Sequence, residues 1–253
     1  MKITVGRTLQ QCIVGRMSIQ QSNILNMDGG DPAMSPTGPT LASSVAGRLR
    51  TAIIAGDMAP GSKVNIDRVR DQLGVSLSPL REALSRLYSE GFLTFQDNRG
   101  YRVAPVSESD LRQIIQLRIN LESLALRNAM ELGDHQWEEA VLQRLAELRV
   151  IHCDPEDQRS VEMWEWAHRN VHVELLSACD MPLLLQFVHT LHDLYDRYRR
   201  IFLAVPHSPR DPMAEHVAVA TAAIERRKND ALALLKRHIE RTGVETLKAL
   251  PQS

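Results

Sequence analysis

The chain has 253 residues, enough for one large domain or two modest ones, and its 43% apolar and 24% charged content is that of an ordinary soluble globular protein. A formal net charge of −1 gives no global pull towards nucleic acid or membrane, so any such binding must come from a local basic patch. No apolar run approaches the roughly 18 residues that a bilayer-spanning helix needs, and no continuous apolar segment follows the basic residues near the N-terminus, so neither a membrane span nor a secretory signal is expected. The cysteines Cys12, Cys153 and Cys179 are few, odd in number and far apart, and no Cys-x-x-Cys occurs. That argues against a disulfide framework or a thiolate zinc site and fits a reducing, cytoplasmic setting. Aromatic content of 4%, with abundant Leu, Ala, Arg and Glu, favours a mainly α fold.

Residues 1–39 contain "NMDGGDPAMSPTGPT", rich in Gly, Pro and Ser, with no amphipathic period. They are expected to form a disordered tail, and Met27 and Met34 are both plausible alternative starts. From Leu41 the period switches on: Leu41, Val45, Leu49 and Ile53 mark a first amphipathic helix. "GDMAPGSKV" breaks it at Gly56, Pro60 and Gly61. A short second helix is expected after Asn65, a good N-cap, ending before Gly74. In "SPLREALSRLYSEG", Ser78 can cap a third helix, Pro79 suits its first position and Gly91 can end it. Its apolar face is Leu80, Ala83, Leu84 and Leu87; its other face carries Arg81, Ser85 and Arg86. "FLTFQ" and "YRVAPV" then flank the turn-forming "DNRG", which reads as a hairpin. Three helices and a basic hairpin in this order make a winged helix-turn-helix over 40–106.

From Ser107 to about 250 every segment reads as helix, with breakers near Gly133, Pro155, Pro182, Pro206 and Pro212. About six helices are expected to form an antiparallel, all-α bundle.

The major groove of DNA admits one α-helix, and a reading helix needs a small polar N-terminus, arginine, and an apolar back. The helix after Ser78 has all three. Arg81 is expected in its first turn, where recognition helices touch base edges. Ser76 and Ser78 suit phosphates, as do Arg48 and Arg50 on the first helix; Arg86 shares the polar face, and Arg99 and Arg102 lie on the wing. Singly, each arginine is more simply a solvated residue; together with the order of elements they point to binding of double-stranded DNA.

"WEWAHRNVHVELL" places His168 and His172 four residues apart on one helical face. A lone histidine on such a face is usually a core residue. Here His216 and His238 occupy comparable stripes on two later helices. Four unpaired buried imidazoles would be costly, whereas one divalent ion satisfies all four, and neutral imidazole suits zinc or nickel. His135, His152, His189, His192 and His207 are taken as surface or structural residues.

The stretch "LGVSLSPLREALSRLYSEGFLTFQDNRGYRVAPVSESDL" strongly resembles the GntR family of bacterial transcription regulators. The helical remainder resembles its FadR-type branch, with the FCD effector domain, and "SPLREALSRL", "GDHQWEEAVLQRLAEL" and "HRNVH" look most like the CsiR-type subgroup. One departure is Leu77, where many relatives have Arg, which bears on operator preference. The resemblance implies a metal held by an Asp-x3-His pair and two later histidines: His172, His216 and His238 match the histidines, and His168 stands at the Asp position. It further implies an effector carboxylate on that metal, a short dicarboxylate being one candidate, with Arg118 matching a family arginine in the same cavity. The plain alternative for Arg118 is a salt bridge to Glu122, four residues on. Tyr198 and Arg199 are further pocket candidates. A homodimeric, effector-released repressor on a near-palindromic operator is therefore expected. The alternatives are a four-histidine metalloenzyme and a metal-free regulator with an apolar acyl effector.

Overall fold

The N-terminal elements are set by short-range capping chemistry. The computed structural model of the protein describes residues 40–154, 156–202 and 211–251; the expected tail, the breakers at Pro155 and Pro206, and His207 lie outside them. Helix α1 (Leu41–Ala55) starts where the Thr40 hydroxyl accepts from the Ser43 N–H, and ends at Gly56 in the left-handed region. Helix α2 (Ile66–Leu73) is capped by Asn65 and stopped by Gly74, also left-handed. Helix α3 (Leu77–Ser89) begins two residues earlier than the sequence suggested, with Ser76 rather than Ser78 as N-cap. Pro79 is tolerated inside it because the first four helical N–H groups have no intrahelical acceptor, so its missing donor costs no bond. Strands β1 (Leu93–Gln96) and β2 (Gly100–Val103) pair antiparallel, with Leu93 opposite Val103 and Gln96 opposite Gly100. Asn98 and Gly100 turn the chain between them at positive φ.

The chain divides into two compact units at Val106/Ser107. In the first, Ile53, Leu80, Leu84, Leu87, Phe92 and Val103 are fully buried, so the expected apolar face of α3 is the face that packs.

The second unit is six helices among the described residues: α4 (Glu108–Leu132), α5 (His135–Val150), α6 (Gln158–Ser177), α7 (Pro182–Phe202), α8 (Pro212–Ile224) and α9 (Lys228–Ala249). Ser107, Asp134, Asp157 and Asp211 each cap the helix that follows. Pro182 and Pro212 open α7 and α8, as helix-first prolines do. The core joins Leu126 and Ala129 of α4, Val141 of α5, Val171 and Leu175 of α6, Val188 of α7, Val219 and Ala220 of α8, and Leu235 and Ile239 of α9. Helices α4 and α9 approach closely at Gly243, where a Cβ would stand 2.6 Å from Ile115 Cδ1 and 3.0 Å from its Cγ1. The protein is mainly α, a winged helix-turn-helix followed by an all-helical unit. Among the described residues no helix is long and apolar enough to cross a membrane.

Candidate functional site

The first unit offers a polar helix face. Ser76, Ser78 and Arg81 are exposed along one end of α3, and Arg81 falls two residues further into the helix than expected because the helix starts at Leu77. Arg48 on α1 and Arg99 in the wing turn are also exposed. Arg50, Arg86 and Arg102 make bonds inside the unit. Arg50 holds Glu90 with its Nη2 at 2.6 Å, tying α1 to the end of α3. Arg86 donates to Glu82 and to Ser43 Oγ, both at 2.8 Å. Arg102 donates to the Gly61 carbonyl at 2.7 Å, fixing the wing to the loop after α1. Their bonds tie α1, α3 and the wing together, so a phosphate would have to share them with these partners. Arg81→Ala is expected to cost about 1–3 kcal/mol of operator affinity in a gel-shift titration at fixed salt, the range for a base-reading arginine.

The second unit brings the four histidines together. His168 and His172 stand on α6, His216 on α8 and His238 on α9, and one ring nitrogen from each lies within 4.8 Å of the others. His172, His216 and His238 are buried, and His168 is partly so. The neighbours fix the tautomers. His216 Nδ1 lies 2.6 Å from the Pro212 carbonyl, which can only accept, so Nδ1 carries the proton and Nε2 keeps its lone pair. His238 Nδ1 lies 2.9 Å from Glu215 Oε2, with the same consequence. Glu215 is itself held by Arg241 at 3.0 Å. His216 Nε2 then faces His172 Nε2 at 3.1 Å. Burial first, and then the neighbouring imidazoles, hold His168 and His172 well below the usual histidine range, so both are neutral at physiological pH. Four converging imidazoles, two of them oriented by an outer carbonyl or carboxylate, are the donor type that zinc or nickel takes.

A cavity of about 290 Å³ opens beside the cluster. Arg118 reaches it from α4, buried, and its Nε donates to Glu122 at 2.7 Å, so the predicted i,i+4 salt bridge and the cavity position are both realised. Burial works against the Glu122 charge, but Arg118, aided by His192, overrides it and holds the carboxyl at about 2. Arg199 also lines the cavity but is clamped by Glu165 and lies 3.2 Å from Asp196. Tyr198 does not line the cavity; it is fully buried and accepts the Ser107 N–H at 3.2 Å. Tyr195, one turn earlier, is the tyrosine that does. His192, which the sequence alone marks as surface or structural, has a further part here. It is buried, lines the cavity and sets its Nε2 2.9 Å from Glu122 Oε1. A signal was available: His192 follows Leu184, Val188 and Leu191 on the buried face of α7.

Comparison with known proteins agrees with this architecture. The family described as bacterial regulatory proteins, gntR family, matches residues 41–103, and the FCD domain matches residues 113–241. The HTH-type transcriptional regulator BphR of Paraburkholderia xenovorans is 32% identical over 238 residues, 88% of this chain and 95% of its own. The HTH-type transcriptional repressor GlaR of Escherichia coli is 29% identical over 195 residues, covering 76% of this chain and 89% of its own. The solved structure of E. coli McbR/YncC shares the fold at a TM-score of 0.70 and 20% identity, over 83% of this chain and 98% of that one. These relatives are regulators rather than enzymes, which removes the metalloenzyme alternative. With a helix-turn-helix head matched over 41–103 and an FCD unit over 113–241, the chain belongs to the GntR family of DNA-binding transcription regulators.

Proposed function

We propose that this regulator is a homodimeric repressor working in the cytoplasm, released from a near-palindromic operator when a small carboxylate enters the FCD cavity. His168, His172, His216 and His238 would hold one divalent transition metal, zinc or nickel. When bound, such an ion supplies a positive, Lewis-acidic centre that attracts a carboxylate. The observation that carries the reading is the convergence of four ring nitrogens with two tautomers set from outside the cluster. Arg118 adds a second positive group to the same cavity, and short dicarboxylates remain candidates on the resemblance. On the other unit, Ser76, Ser78, Arg81, Arg48 and Arg99 are the exposed groups for DNA, with Arg50, Arg86 and Arg102 shaping the head that presents them. A two-fold dimer would read two half-sites.

Elemental analysis after chelator-free purification is expected to find about one metal ion per chain. Folded protein that is metal-free and cannot be reloaded would refute the site. Glu215→Gln removes the carboxylate behind His238, and loss of such an outer partner typically weakens metal affinity about 10–100-fold; competition with a chromogenic chelator reads this directly.

A further inference from the structure

The cavity beside the histidines is lined by both charged and apolar groups. Each arginine of the described lining already faces carboxylates: Arg118 is 2.7 Å from Glu122, Arg169 is 2.7 Å from Asp193 and 3.1 Å from Asp196, and Arg199 is held by Glu165 and Asp196. The cavity lining has three arginines, Arg118, Arg169 and Arg199, against four carboxylates, Glu165, Asp196, Asp211 and Glu245. Glu122 and Asp193, the partners of Arg118 and Arg169, add to the negative side. Among the described residues, and apart from the histidine cluster, no surplus of positive charge is left to receive an anion. The apolar part of the lining is Trp164, which stacks on His168 with ring centroids 4.8 Å apart, together with Met213, Ile239 and the Tyr195 ring. Arg118 also lies over that Tyr195 ring at 4.5 Å, so part of its charge is turned to a π face.

A second carboxylate brought into this space would meet neutralised arginines and apolar carbon. It would lose its hydration without gaining an unshared cation, which is the costly case. A hydrocarbon tail in the same place displaces water from Trp164 and Met213 and gains. We infer that the effector is a monocarboxylate with an apolar body: its carboxylate turns to the histidine cluster, and its body lies against Trp164, Met213 and Ile239. The inference rests on the proposed carboxylate-binding role of the cluster and narrows it, away from the short dicarboxylates that the family resemblance suggests.

Calorimetry on the full-length, metal-loaded protein tests it with hexanoate and adipate, acids of equal carbon number that differ by one carboxylate, and with acetate as the short control. Hexanoate is expected to bind at least roughly tenfold more tightly than either of the others. Met213→Lys, which places an ammonium in the apolar part of the lining, is expected to reverse the order of hexanoate and adipate. Adipate binding as tightly as hexanoate to the unmodified protein overturns the inference while leaving the carboxylate role in place. Binding of both acids that is unchanged in His172→Ala overturns the carboxylate role itself, and binding of neither acid overturns both.

Discussion

Glu122→Ala is expected to destabilise the helical unit by roughly 3–5 kcal/mol, the range for removing one partner of a buried ion pair. Glu122 is 1% exposed, Arg118 6% and His192 3%, so the arginine left behind would be a buried cation without its hydrogen-bonded counter-charge. Its guanidinium cannot shed its proton to escape the cost. The wild-type pair also predicts acid sensitivity. The Glu122 carboxyl sits at about 2 instead of 4.5, because Arg118 and His192 outweigh the burial that would raise it. A folded value below the unfolded one stabilises the protein above about pH 4.5, and that contribution is lost as the pH falls through the folded value. The difference corresponds to roughly 3 kcal/mol. Glu122→Gln should remove this pH dependence between about 4.5 and 2 while keeping the shape. All three tryptophans, Trp137, Trp164 and Trp166, lie in the helical unit, so urea unfolding followed by tryptophan fluorescence reports on that unit alone. Unchanged midpoints in Glu122→Ala at neutral pH would show that the pair carries no such weight.

His172→Ala is expected to produce the other large effect: metal content falling from about one ion per chain to background. His172 occupies the middle of the cluster, with ring centroids 4.8 Å from His168, 5.0 Å from His216 and 5.3 Å from His238. Removing it takes away one of four donors and opens the core side of the site. A ligand bound only to the folded state adds about 4 kcal/mol at a thousandfold excess over its dissociation constant. The wild type should therefore lose several degrees of thermal midpoint when chelator is added, whereas His172→Ala should melt at the same temperature with or without chelator. A variant that retains stoichiometric metal would remove His172 from the ligand set.

The fold was largely legible because its signals are local. The apolar face of α3 at Leu80, Ala83, Leu84 and Leu87, the caps at Asn65 and Ser107, and the turn at Asn98 and Gly100 each depend on neighbours a few residues away. The histidine cluster was legible for a related reason: four rings on the inward stripes of amphipathic helices must converge if the helices share a core. What could not be read were partners far apart in the chain. Arg199 reads as a pocket cation until Glu165, 34 residues earlier, is seen to clamp it. Arg50 reads as a phosphate contact until Glu90 is found beside it. Tyr195 and Tyr198 are three residues apart on one helix, too close in angle for periodicity to say which lines the cavity and which packs behind it. The misplaced start of α3 has another cause: Ser76 and Ser78 are both good caps, and only the backbone decides between them.

The bare backbone at Gly243 has a consequence for how such a receptor can be retuned. Ile115, which fills the space a side chain would take, lies one turn before Arg118 on α4, and Gly243 lies a little over one turn after His238 on α9. The two helices, both of which line the cavity, are thus spaced at a point next to Arg118 and His238. A single methyl there would act as a shim, pressing on Ile115 and widening the chamber without altering one group that touches its contents. Gly243 is therefore a position where evolution, or an engineer, can adjust the size of an accepted molecule while leaving the chemistry of its recognition alone.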